Sequence, residues 1–175
     1  MQRTVLMVPG INNSGPDHWQ SRWQASHPSF QRIEVTDWHH PTCTAWGEAI
    51  DAALQSIAHP VVIVAHSLGC LGVVHWSRRV HPARVAAVLL VSVPDPDGPA
   101  FPVEATGFGN LPMQRLPFNS IVVSSCDDPY GTPDHARRCA SAWGSRFVEI
   151  GAAGHINADS NLGDWPVGWE LLQSL

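Results

Sequence analysis

Apolar residues along the chain fall into two alternating kinds of run. Short, unbroken stretches rich in valine and isoleucine occur at residues 4–8, 32–35, 61–65, 85–93, 121–124 and 147–150. An unbroken apolar pattern predicts strands of a sheet that is covered on both faces. Between these runs, apolar positions recur at helical spacing: Trp19 with Trp23, then Trp46, Ile50, Ala53, Leu54 and Ile57, then Trp165 with Trp169 and Leu172. Helix starts are signalled by Pro16 after Ser14-Gly15 and by Thr132-Pro133, where a hydroxyl cap precedes a proline in the first turn. Strands alternating with helices predict an α/β fold: a doubly wound, mostly parallel sheet of about six strands with helices on both faces. Ligands of such a sheet bind beyond the carboxyl ends of the strands, where strand order reverses.

Residues 94–119 break the rhythm with six prolines and three glycines, among which stand Phe101, Phe108, Leu111, Met113 and Phe118. A connection longer than ~12–15 residues in a compact domain is usually functional or disordered, and the apolar residues here argue against disorder. The segment reads either as a loop folded over the strand ends to form an acyl pocket or as a purely structural flap.

Composition narrows the picture. A chain of 175 residues is expected to form one domain, 1–175, with a core that needs no staples. The net charge of −5, without a basic run longer than two residues, argues against a nucleic-acid partner. Met1-Gln2-Arg3 and the apolar stretch after it read as too short for the apolar region of a secretory leader, so none is expected, and no stretch approaches the ~20 apolar residues of a membrane span. A cytoplasmic location without membrane contact is therefore expected. Cys43, Cys70, Cys126 and Cys139 form no C-x-x-C pair and read as small buried hydrophobes. The histidines are scattered, so no metal site is expected, and His39-His40 near Asp37 reads as a polar loop.

The chemistry concentrates at 61–72, where an apolar strand runs into Ala65-His66-Ser67-Leu68-Gly69 and then a helix. This is the pattern of a nucleophile elbow, in which a serine is held in a strained turn and its neighbours two positions away must be small. Alanine replaces the usual first glycine and also fits. A serine needs a base and an orienting acid, in the chain order Ser, Asp or Glu, His. Strand 121–124 leads into Cys126-Asp127-Asp128-Pro129, and strand 147–150 leads into Gly151-Ala152-Ala153-Gly154-His155. Asp95, Asp97 and Asp127 compete for the acid, and the Asp-Pro step favours Asp128. His18 and His66 compete for the base, and His155, framed by Gly154, is favoured. An acyl-transfer oxyanion also needs two N–H donors. Leu68 is expected to supply one and Ile11 the other, with Gly10 and Asn12 as alternatives, because Pro9 has no N–H. Asn12, His66, Phe101 and Phe108 are the expected substrate contacts.

Pro9-Gly10, His18-Trp19, Ala65 to Gly69, Asp127-Asp128-Pro129 and Gly154-His155, in this order, resemble the small serine hydrolases of the retinoblastoma-binding protein 9 and YdeN group, from about Thr4 to Leu172. The resemblance implies an α/β-hydrolase core without a large lid domain and a triad of Ser67, Asp128 and His155. The L-x-C-x-E segment that links the group's namesake to retinoblastoma protein has no counterpart here, because Leu68-Gly69-Cys70-Leu71-Gly72 lacks the glutamate. The function expected is a carboxylesterase-like serine hydrolase of a small-molecule acyl substrate, working without metal or organic cofactor. A non-catalytic interaction module and an acyltransferase with the same triad are the competing readings. Labelling by a fluorophosphonate separates the first from an enzyme, and product analysis with added acceptors separates the second from a hydrolase.

Overall fold

The computed structural model describes residues 4–57, 60–79 and 84–175; the leader reading at Met1-Gln2-Arg3 lies outside them. Among the described residues six strands form one parallel sheet: β1 (Thr4–Val8), β2 (Phe30–Arg32), β3 (Val61–His66), β4 (Val85–Val91), β5 (Asn119–Ser124) and β6 (Arg146–Glu149), in the order β2-β1-β3-β4-β5-β6. Strand order reverses between β1 and β3, so the crevice for a ligand lies beyond their carboxyl ends.

Helices α1 (Trp19–Ser26), α2 (Cys43–Ser56), α3 (Leu68–Trp76), α4 (Pro133–Trp143) and α5 (Pro166–Gln173) cover both faces. Because side chains alternate along a strand, the sheet feeds two cores. Leu6, Val8, Ile63, Ala65, Val88 and Leu90 pack with α2, α3 and α4, through residues such as Trp46, Leu71 and Trp143. Val5, Met7, Val62, Val64, Leu89 and Val91 pack with α1 and α5, through Trp19, Trp23 and Leu172. Every residue of β3 is buried, as its unbroken apolar run predicts. Among the described residues no helix is long and apolar enough to cross a membrane.

Several boundaries differ from the sequence reading, each for a local reason. β2 occupies 30–32 rather than 32–35, paired from Val5 opposite Phe30 to Met7 opposite Arg32. Beyond Val8 the partner strand offers Pro9, which has no N–H to continue a ladder. β4 stops at Val91 because Ser92 turns to φ 54°. α1 starts at Trp19, not Pro16: Ser14 Oγ is spent on Gln20 Oε1 (2.7 Å), and the cap is His18, whose Nδ1 accepts from Gln20 N. α4 begins as expected, with Thr132 capping and Pro133 in the first turn. Of the four cysteines, Cys126 is exposed and corrects the expectation that all are buried.

The 94–119 segment contains no helix, and its two parts do different things. Pro94, Phe101, Pro102 and Glu104 border the cavity at the strand ends. Phe108 and Leu116 instead enter the core beside α2 and α4. That second part is tied down by Trp143 Nε1 donating to Pro112 O (2.7 Å) and by His75 Nε2 on Phe108 O (3.1 Å).

Candidate active site

The turn after β3 explains why this serine is presented. Ser67 has φ 54° and ψ −127°, outside the comfortable regions for a side chain with a Cβ, and it is only 9% exposed. The chain can make this turn because its neighbours are small. A Cβ on Gly69 would collide with the carbonyl oxygens of Val8 and Pro9, and one on Gly10 would stand 2.9 Å from Ser67 Cβ. Glycine at these two positions lets β1, the turn and α3 share one small volume.

Three side chains distant in sequence converge there. Ser67 Oγ lies 2.8 Å from His155 Nε2. His155 Nδ1 lies 2.8 and 2.9 Å from the two oxygens of Asp128. With Nδ1–H donated to the carboxylate, Nε2 is left as the acceptor for the serine hydroxyl. Asp128 Oδ1 also accepts from Tyr130 N (2.9 Å), and the Tyr130 ring rests 4.5 Å from that of His155, centroid to centroid. The competing acids lie elsewhere: Asp95 faces His135 Nδ1 at 3.6 Å and accepts from Asp97 N, while Asp127 binds backbone of the histidine loop.

The competing histidines form the floor. His66 is buried, its Nε2–H donating to His155 O (2.9 Å), and His18 packs against it edge to face at 4.7 Å. Burial, with Arg32 and His155 adding repulsion, pushes the His18 imidazole down to about 3; burial likewise holds His66 well below the ordinary histidine range. Both rings are neutral near pH 7. Since His18 Nδ1 accepts from Gln20 N, its proton sits on Nε2, which has no partner among the described residues.

A cavity of about 600 Å³ opens over these groups. Of the expected substrate contacts, Asn12, His66 and Phe101 line it. Phe108 does not: it is 1% exposed and packs edge-on to Trp46, because the bend at Gly107 (φ 79°) directs it into the core. Both expected oxyanion donors, Ile11 and Leu68, border the cavity. The Asn12 amide is already committed to Trp38 O (2.8 Å), which removes one alternative, whereas neither Gly10 nor Ile11 donates to a backbone carbonyl among the described residues. Sequence reasoning did not select Tyr130, His39, His40 or Glu104, which also line the cavity. For Tyr130 the usable signal was its place two residues after the acid; His39 and His40 carried none beyond polarity, and His39 Nδ1 is joined to Asn12 Oδ1 at 2.7 Å. Among the described residues no group of three or more His, Cys, Asp or Glu is arranged to hold a metal ion.

Comparison with known proteins agrees with this architecture. A protein from Pectobacterium atrosepticum described as a YdeN-like hydrolase is 31% identical, with a TM-score of 0.87 over 98% of this chain and 89% of that one. The ydeN gene product of Bacillus subtilis shares the fold at 16% identity, TM-score 0.73, over 99% and 98% of the two chains. A thermophilic esterase from Thermogutta terrifontis shares it at 14% identity, TM-score 0.67, over 98% and 90%. Among curated proteins no sequence match is found. The family model described as serine hydrolase matches residues 5–174, nearly the whole chain, and the protein, with its α/β-hydrolase fold, is therefore a member of the serine hydrolase family.

Proposed function

We propose that the protein cleaves an ester, thioester or amide of a small substrate through an acyl-enzyme on Ser67. The observation that carries this reading is the unbroken relay from Ser67 Oγ to His155 Nε2 (2.8 Å) and from His155 Nδ1 to Asp128 (2.8 Å). As Oγ bonds to the substrate carbonyl carbon, His155 takes the hydroxyl proton; Asp128 keeps the ring in the required tautomer and stabilises its cation. The oxyanion is received by the Leu68 amide and by that of Ile11, or of Gly10 in its place. When the tetrahedral intermediate collapses, the carbonyl carbon parts from the leaving group, which departs with the proton held by His155. The same ring then deprotonates water, whose oxygen bonds to the acyl carbon; as the C–Oγ bond breaks, His155 returns that proton to Ser67 Oγ and the acid leaves. No cofactor enters this cycle.

The cavity volume suits a small-molecule acyl substrate, with Phe101 and Tyr130 as apolar wall. Carboxylic esters are the first class proposed, the activity named for the Thermogutta relative of the same fold. A fluorophosphonate probe should label the protein and leave Ser67→Ala unlabelled, and a panel of p-nitrophenyl esters and aminoacyl amides should be turned over only by the parent protein. An unlabelled parent protein, or an equally labelled Ser67→Ala, would refute the proposal.

A further inference from the structure

Asp127 stands beside the proposed acid yet takes no part in the relay. Its Oδ1 accepts three hydrogen bonds: from Ser125 Oγ (2.6 Å), Ala153 N (2.9 Å) and Gly154 N (2.7 Å). The last two are the amides of the residues immediately before His155. From these contacts we infer that Asp127 is a positioning residue, which fixes His155 through its backbone while Asp128 fixes it through its ring. The inference rests on the serine hydrolase reading above.

The loop needs such a hold. Gly154 has φ 54° and Ile156 has φ 48°, so His155 is flanked on both sides by left-handed backbone, which for Ile156 is costly. Other side chains pin the same stretch: Ser160 Oγ donates to Ala153 O (2.7 Å), His66 Nε2 to His155 O (2.9 Å) and Trp19 Nε1 to Ile156 O (2.8 Å). Those three groups donate to carbonyls. Asp127 is the carboxylate that gathers the N–H groups, and bonds to an ionised acceptor are roughly twice as strong as neutral ones. The Ser125 hydroxyl and then the Gly154 amide hold the Asp127 carboxyl below the usual carboxylate range, so it is ionised near neutral pH. Ser125 Oγ, fully buried, also lies 2.9 Å from Ala153 N, which locks the carboxylate to the end of β5. Two adjacent aspartates thus grip one residue at two points. A displacement of ~1 Å at a reacting group costs on the order of 10²-fold in rate, which sets the scale of the effect.

The test compares Asp127→Asn, which keeps one acceptor oxygen without the charge, with Asp127→Ala, which keeps neither. The first readout needs no substrate: the downfield NMR signal of His155 Nδ1–H and the exchange protection of the Gly154 amide. The second is kcat and KM on a p-nitrophenyl ester. We expect a graded series. Asp127→Asn retains the ring signal and loses about tenfold in kcat; Asp127→Ala loses the signal and the protection and about 10²-fold in kcat, with KM within about twofold in both. Equal signals and equal kcat in all three proteins would overturn the inference, and so would losses of kcat that merely track the folded fraction measured by circular dichroism. If the parent protein turns over no ester, the hydrolase reading fails alone; loss of the ring signal in Asp127→Ala then still supports the positioning role.

Discussion

Ser67 leaves an interior strand whose six residues are all buried, whereas His155 lies beyond β6, an edge strand with exposed ends. The serine is held by sterics: strand, turn and helix are packed so closely that a single Cβ on Gly69 has no room, and the strained φ follows from the packing. Beside the histidine a Cβ on Gly154 would meet nothing closer than 3.6 Å, and the stretch is held by side-chain hydrogen bonds, with Asp127 accepting and His66, Ser160 and Trp19 donating. One region is fixed by excluded volume and the other by polar pairing. Disturbing the first should therefore cost the fold, and disturbing the second should cost the rate.

Gly69→Val strikes the steric side and should have the largest effect. Its side chain has to displace the Val8 and Pro9 carbonyls, a clash at the upper end of the usual overpacking cost, about 3 kcal/mol or more. Urea unfolding should show it, with fluorophosphonate labelling lost; a stable, labelled variant would mean the close approach at the turn is not needed. Asp128→Asn strikes the polar side. An amide N–H facing His155 Nδ1 forces the proton onto Nε2, so kcat should fall on the order of 10⁴-fold while stability changes little. A rate within tenfold of the parent protein would break the proposed relay.

Acid titration acts where the two regions meet, on the neutral rings of His18 and His66. The unfolded His18 ring takes up a proton below about pH 6.5, but the folded one does so only near 3, so the unfolded state binds more protons between those values. His66 is shifted in the same direction. Stability is therefore full above about pH 6.5 and falls on acidification, by up to roughly 1.4 kcal/mol per pH unit for each ring. Denaturant midpoints measured from pH 7.5 to 5 should show this slope, and His18→Asn, which retains the helix cap, should flatten it. An unchanged slope in that variant would show that His18 is protonated in the folded protein.

Much of the architecture was legible because its causes are local. A run of Val61 to Ala65 can be stable only between neighbours on both faces, Thr132-Pro133 starts a helix by itself, and a serine between Ala65 and Gly69 after such a strand marks an elbow. The errors arose where the deciding contact was distant. Pro16 signals a helix start, but Gln20, anchored through Nε2 to Val64 O on β3, takes the Ser14 hydroxyl, and His18 caps instead. Phe101 and Phe108 look alike in a proline-rich segment, yet one faces the cavity and the other Trp46.

What the sequence by itself determined is therefore the strand and helix order, the elbow, and the succession of serine, aspartate and histidine, because backbone sterics and side-chain periodicity act over a few residues. Only the tertiary structure brought Asp128 and His155, rather than Asp127, His18 or His66, into hydrogen-bonding line with Ser67. Adjacent side chains leave the backbone in different directions, and what each one meets depends on strands that the chain reaches many residues later.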